Sequence, residues 1–119
     1  MSNYTAINKH ESSISVCFYI EQDKIIEIGK KMNEINDRAY MNGYNWEAFF
    51  NWYLPKYAPD VAEGMGTDPE AGMYVAYYTL TPENEDRAGK FVEIIQKLVE
   101  NEEELYTLVR EHGNEINWD

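Results

Sequence analysis

Alternating apolar and polar positions predict a β-strand over residues 13–20. Every second side chain from Ile14 to Ile20 is apolar, so these side chains point to one face and the residues between them point to the other. Residues 3–9 are a second strand candidate, and the segment between the two is short enough to close a hairpin. The N-terminal part is therefore expected to supply an antiparallel strand pair with one face turned toward the core.

Apolar residues spaced three and four apart predict amphipathic helices over residues 23–37, from Thr81 onward, and from Asn101 to Gly113. Thr81 is followed by a proline, an order typical of a helix cap and first turn. Residues 73–80 precede this helix and are apolar or aromatic on both faces, which is typical of a central strand. The tail beyond Gly113 is expected to be loose.

The stretch 42–54, N-G-Y-N-W-E-A-F-F-N-W-Y-L, carries six aromatic side chains in thirteen positions. Asn45 is placed to cap a helix that begins at Trp46, and Pro55 predicts its end after about ten residues. Large rings bury more area than other side chains, so the remaining elements are expected to pack onto this helix. We interpret the stretch as mainly core.

The predicted order is strand, strand, helix, helix, strand, helix, helix, which indicates an α+β fold. We expect a small antiparallel β-sheet of about three to four strands with helices packed on at least one face. A chain of 119 residues without an internal repeat, a linker or a low-complexity segment is expected to form a single domain, residues 1–119.

Charge is distributed unevenly along the chain. The net charge is −12; residues 1–59 contain seven acids and six bases, whereas residues 60–119 contain fifteen acids and four bases. Such a surface repels nucleic acid and anionic membranes and attracts basic partners. Solubility alone is the other explanation for this acidity, and the sequence leaves it open.

Cysteine usage and the N-terminal sequence indicate the compartment. Cys17 is the single cysteine, so an internal disulfide is excluded and a reducing environment is favoured. The N-terminus has no apolar core of a secretory signal, and no apolar run approaches the roughly 20 residues that span a bilayer. A cytoplasmic protein is expected.

No catalytic, cofactor-binding or metal-binding residues are predicted. His10 and His112 are too few and too isolated for a zinc site. All four serines lie at positions 2–15 with only His10 near them, which disfavours a Ser-His-Asp arrangement. Carboxylates are abundant, but no pair is distinguished by apolar surroundings. Enzymatic activity is therefore the weaker hypothesis.

Three segments in order resemble the immunity 51 family of bacterial polymorphic-toxin systems: S-V-C-F at 15–18, N-G-Y-N-W at 42–46, and D-P-E-A-G-M-Y-V-A-Y-Y at 68–78. The likeness covers roughly residues 13–100. Two positions depart from the family pattern, which has aspartate at the place of Asn45 and a small or thiol side chain at the place of Val75. The resemblance implies an α+β protein that is made beside a toxin and blocks it inside the producing cell, without catalysis and without a cofactor.

An acidic protein with this role can occupy a basic cleft, such as that of a nuclease, by substituting carboxylates for phosphates. Two surfaces compete as the contact region. One is formed by acids of the two C-terminal helices, namely Glu93, Glu100 and Glu103. The other joins acids of the 60–70 region to tyrosines near the sheet, and we favour it because tyrosines supply desolvated anchors: Tyr19, Asp60, Glu63, Asp68, Glu70, Tyr74 and Tyr78.

Two alternatives belong to other functional classes. One is a small-molecule-binding or enzymatic α+β domain with a pocket between the aromatic helix and the sheet. The other is an acidic adaptor for a partner that is not a toxin. The neighbouring gene would distinguish them, since a secreted protein with a C-terminal toxin domain favours immunity and a metabolic operon favours the enzyme.

Overall fold

The computed structural model describes residues 3–119 and contains one antiparallel four-stranded sheet. The strands are β1 (Thr5–Lys9), β2 (Ser13–Phe18), β3 (Gly66–Thr67) and β4 (Tyr74–Thr79). Their spatial order is β1-β2-β4-β3, so β4 is a central strand, as its apolar character on both faces predicted. The α+β prediction with three to four strands is confirmed.

Within residues 3–119, five α-helices accompany the sheet: α1 (Asp23–Ile35), α2 (Gly43–Tyr57), α3 (Pro59–Ala62), α4 (Pro82–Glu100) and α5 (Glu102–His112). The predicted cap of α4 is present, because the Thr81 side chain accepts a hydrogen bond from the amide of Asn84 over 3.1 Å. No helix within residues 3–119 is long and apolar enough to cross a membrane.

Helix α2 is longer than its sequence predicted and begins with a different cap. Its first residue is Gly43, and the side chain of Asn42 accepts the amide of Asn45 over 2.9 Å. The helix also continues through Pro55 to Tyr57. The proline removes one intrahelical donor in the last turn, and the carbonyl that loses it belongs to the exposed residue Asn51, where solvent can replace the missing donor.

The rings of α2 form the centre of the core, as predicted. Trp46 lies 4.9 Å from Phe18 of β2 in an edge-to-face contact, measured between ring centroids. Phe50 lies 5.3 Å from Tyr74 of β4 and 5.0 Å from Phe91 of α4. All five side chains are at most 1% exposed. The rings fill the space between α2 and the sheet, so the alternative that places a pocket there loses its structural basis.

The C-terminal tail is packed, contrary to expectation. Ile116 and Trp118 are buried, and the Trp118 indole donates to the carbonyl of Gly113 over 3.0 Å. The amide of Asp119 donates to the side-chain oxygen of Asn45 over 2.6 Å. The predicted cap Asn45 is therefore a buried link between the start of α2 and the end of the chain.

The fold brings the two unequally charged parts of the chain together. Four lysines from residues 1–59 form ion pairs with glutamates from residues 60–119, namely Lys9–Glu85, Lys24–Glu100, Lys31–Glu102 and Lys56–Glu115. Exposed pairs of this kind contribute about 0–1 kcal/mol each. Most of the other acids take part in no ion pair within residues 3–119.

Candidate partner-binding surface

Two of the seven predicted contact residues are core residues. Tyr74 is 0% exposed and Tyr78 is 1% exposed, because the even-numbered residues of β4 face the helices. The Tyr78 hydroxyl donates to the carbonyl of Val61 over 2.7 Å, and burial raises the pKa of Tyr78 to about 12. Burial also raises the pKa of Tyr74. Neither ring reaches a partner without opening the core, so the prediction is corrected for both.

Two of the predicted acids already have a cationic neighbour within the chain. Asp60 and Glu63 lie 3.4 and 3.2 Å from the guanidinium of Arg87, and Lys90 also pairs with Asp60. Arg87 further donates to the main-chain carbonyl of Asp60 over 2.9 Å. The Arg87 side chain is 20% exposed, but those of Asp60 and Glu63 are 58% and 73% exposed, so these pairs link α3 to α4 at the surface and contribute about 0–1 kcal/mol each.

Tyr19 and Glu70 do lie together, at the other end of β4 from Tyr78. Both line a groove that we call the acidic groove; its residues are Tyr19, Glu21, Gln22, Glu70, Ala71, Gly72 and Met73. Among residues 3–119, neither Glu21 nor Glu70 takes part in an ion pair. Asp68 is exposed on the chain leading into the groove but is not part of its lining. The acidic groove therefore offers two unpaired carboxylates beside a tyrosine.

Close backbone contact builds this groove. The amide of Gly43 donates to the carbonyl of Ala71 over 3.0 Å, and a Cβ at residue 43 would lie 1.8 Å from the carbonyl oxygen of Glu70. Residues 70–73 form a turn closed by reciprocal main-chain bonds between Glu70 and Met73. The segments 42–46 and 68–78 thus meet at the groove.

Gly72 serves the same groove in a second way. A Cβ at residue 72 would lie 2.8 Å from the Glu21 carboxylate. The absence of a side chain therefore lets Glu21 lie over the turn, where its charge is added to that of Glu70. Glu21 has no distinguishing signal in the sequence, because only the fold brings it beside the turn.

A second groove adjoins the first, between α1 and the segment that leads into α2. We call it the α1 groove; it has a volume of about 320 Å³ and shares Glu21 and Ala71 with the acidic groove. Its apolar side chains are Ile20, Ile26, Tyr40 and Met41. This groove was not predicted from the sequence, because it forms where Gly29 of α1 admits Met41. A Cβ at residue 29 would lie 3.1 Å from that of Met41.

His112 contacts helix α2 and a carboxylate. His112 stacks against Trp52 with ring centroids 5.3 Å apart, and its Nδ1 lies 2.8 Å from Glu115. Within the part of the chain that the structure describes, no three His, Cys, Asp or Glu side chains are grouped to hold a metal ion.

Comparison with known proteins gives one match. The family model described as immunity protein 51 matches residues 5–114, which include all five helices and the four strands. No curated protein and no solved structure matches the chain. The segments that meet at the acidic groove both lie within the matched region.

Proposed function

Because the chain belongs to the immunity protein 51 family, we propose that it binds a cognate bacterial toxin and neutralises it inside the cell that produces both. The family match over residues 5–114 is the observation that carries this proposal. The immunity protein acts by occupying the toxin surface, with one immunity protein per toxin, and needs neither a cofactor nor a catalytic step.

The acidic groove is the proposed contact surface. Glu21 and Glu70 can each accept a charge-assisted hydrogen bond from a lysine or arginine without first breaking an ion pair within residues 3–119. Tyr19 lies beside them and supplies the apolar area that slows dissociation. A basic toxin surface, such as the phosphate-binding cleft of a nuclease, has the complementary charge.

The Asp60–Glu63 cluster supports this choice by contrast. Engaging those acids would require a toxin cation to compete with Arg87, whose side chain is mostly buried. Both acids are largely exposed, so this competition costs only about 0–1 kcal/mol per pair, but it makes them weaker contact candidates than acids that have no partner among residues 3–119. We therefore keep Tyr19 and Glu70 from the predicted set, place Asp68 at the margin of the contact, and leave Asp60 and Glu63 outside it.

The function is tested by co-expression with the toxin domain encoded by the adjacent gene. Rescue of growth is expected, and titration of the purified proteins should reach full inhibition at one immunity protein per toxin. Full rescue at far below one copy per toxin would contradict the proposal and indicate an enzyme.

The surface is tested with a double variant, Tyr19→Ala with Glu70→Lys, whose dissociation from the toxin should be at least tenfold faster. The matched control is Tyr57→Ala with Glu93→Lys, since Tyr57 is 53% exposed and Glu93 lies on α4, away from the acidic groove. Thermal unfolding of both variants verifies that they are folded. Fast dissociation of the control together with wild-type behaviour of the Tyr19/Glu70 variant would show that another surface binds.

A further inference from the structure

The α1 groove is lined by apolar side chains that are exposed to solvent. Tyr40 is 70% exposed, the highest value among the exposed large apolar side chains of residues 3–119. Ile26 of the same groove is 39% exposed. Met41 and Ile20 line the same groove. Its volume of about 320 Å³ lies at the lower end of the range of roughly 300–1,000 Å³ that is typical of ligand pockets. That size suits a large side chain better than a cofactor.

Two hydrogen bonds hold the main chain at Tyr40. The side-chain amide of Asn45, which is 2% exposed, donates to the carbonyl of Tyr40 over 2.7 Å. The amide of Asn42 donates to the same carbonyl over 2.8 Å. Because these bonds hold the main chain at residue 40, binding has only to order the Tyr40 side chain and not the segment that carries it.

Charge identifies which partner suits the groove. Glu21 lines both the α1 groove and the acidic groove, so the junction of the two is negative. Lys30, which also lines the α1 groove, is paired with Glu27 over 3.5 Å. A segment that enters the α1 groove therefore meets a carboxylate without an ion-pair partner in residues 3–119 on the side toward Glu70, and a lysine that is already paired with Glu27 on the other.

We propose that the α1 groove receives one large apolar side chain of the toxin, next to a toxin lysine or arginine that contacts Glu21 and Glu70. The inference rests on the proposed function and adds the chemistry of the contact. The apolar anchor slows dissociation and the cation beside it fixes the register, with Tyr40 closing over the anchor and excluding water.

The test uses single variants of the full chain and the adjacently encoded toxin domain carrying an inactivating active-site substitution. Ile26→Asp and Tyr40→Ser should each raise the dissociation rate at least tenfold. Two controls match them in exposure: Ile7→Asp, at 41% exposed, and Tyr57→Ser, at 53% exposed. The controls should dissociate within about twofold of the wild-type rate, since neither lines the α1 groove.

A second measurement avoids reliance on the variants' folding. Hydrogen exchange of wild-type amides 38–43 should slow on toxin binding, whereas the amides of β1 should exchange as before. Binding with no protection at 38–43, or wild-type dissociation of folded Ile26 and Tyr40 variants, overturns the groove inference and leaves the proposed function standing. A wild-type protein that neither binds nor rescues overturns both.

A second copy of the chain is the remaining occupant to test. If the protein forms a dimer by size-exclusion chromatography with light scattering, and Tyr40→Ser abolishes that dimer while toxin binding is unchanged, the groove is a self-association surface. That result would overturn the inference. A monomer whose toxin complex is weakened by Tyr40→Ser supports it.

Discussion

The amide of Gly43 donates a hydrogen bond of 3.0 Å to the carbonyl oxygen of Ala71, joining the first turn of α2 to the turn at residues 70–73. The two segments are far apart in sequence but meet with backbone against backbone. Helix α2 carries the central rings of the core, and the turn carries Glu70 of the acidic groove. The groove is therefore anchored to the most buried part of the protein.

Gly43→Ala is expected to destabilise the protein by about 3 kcal/mol or more, at the upper end of overpacking effects. The added Cβ would lie 1.8 Å from the carbonyl oxygen of Glu70 and 2.5 Å from that of Met73. Both obstacles are backbone atoms, so the turn must move as a unit. Urea denaturation measures the loss in the free energy of unfolding.

Gly89→Ala is the matched control for this change. Gly89 lies inside α4, and a Cβ there would meet no atom within 4 Å. Alanine is the better helix former, so the free energy of unfolding should rise by about 0.5–1 kcal/mol. Equal destabilisation by the two substitutions would show that steric contact at the turn is not the cause.

Trp46→Ala should lower the free energy of unfolding by about 3–5 kcal/mol, as removal of a large core aromatic does. Trp46 is 1% exposed and contacts Phe18 and Phe50. Trp52→Ala serves as the comparison, because Trp52 is only half-buried on the same helix and should cost less. Unchanged thermal stability of Trp46→Ala would place Trp46 at the surface as a binding residue.

Periodicity predicted the longer helices and strands of this fold, but not the choice between two competent caps for α2. Asn42 and Asn45 can both cap a helix, and local sequence does not distinguish them. Tertiary contacts determine which asparagine is the cap. The Asn45 side chain is already hydrogen-bonded to Tyr40 and to Asp119, so Asn42 caps the helix. The two-residue strand β3 was missed because two residues cannot display an alternation.

The contact residues were harder to predict than the elements, because they also depend on contacts between residues distant in sequence. Both faces of β4 are apolar or aromatic, so alternation separates Tyr74 and Tyr78 from Tyr77 but does not show which face carries helices. The structure buries the first two and leaves Tyr77 44% exposed. The pairing of Asp60 with Arg87 spans 27 residues and leaves no local signal.

The C-terminal cluster around Glu115 should make stability depend on acidic pH. The Glu115 carboxylate is hydrogen-bonded to His112, accepts a hydrogen bond from the Trp52 indole N–H over 3.3 Å and lies 3.8 Å from the ammonium group of Lys56. These contacts lower the pKa of Glu115, and the hydrogen bond with His112 is the largest cause. The folded-state pKa is below the unfolded value, so this stabilisation is present above about pH 4.5 and is lost as the pH falls through the folded-state pKa.

Glu115→Gln should therefore lower the melting temperature at pH 7 and lose less further stability than the wild type between pH 6 and the acidic transition. Glu111→Gln is the control, because Glu111 is exposed and forms no ion pair among residues 3–119. The measurement is thermal unfolding by circular dichroism across that range. Parallel pH profiles for wild type and Glu115→Gln would refute the role of the cluster.

Surface acids remote from the contact should affect the association rate of the toxin and not its dissociation rate. Glu93 and Glu103 are exposed on α4 and α5, outside both grooves. Charges act over about 8 Å at physiological salt, so their reversal to lysine should lower the association rate, flatten its salt dependence and leave dissociation unchanged.

Reversal of Glu21 and Glu70 to lysine changes the net charge by the same amount, so any difference between the two double variants reports position. The Glu21/Glu70 variant should also associate more slowly, but it alone should dissociate faster, because it loses desolvated contacts at the acidic groove. Surface plasmon resonance at two salt concentrations separates the rates. Fast dissociation of the Glu93/Glu103 variant with normal dissociation of a folded Glu21/Glu70 variant would move the contact surface to α4 and α5.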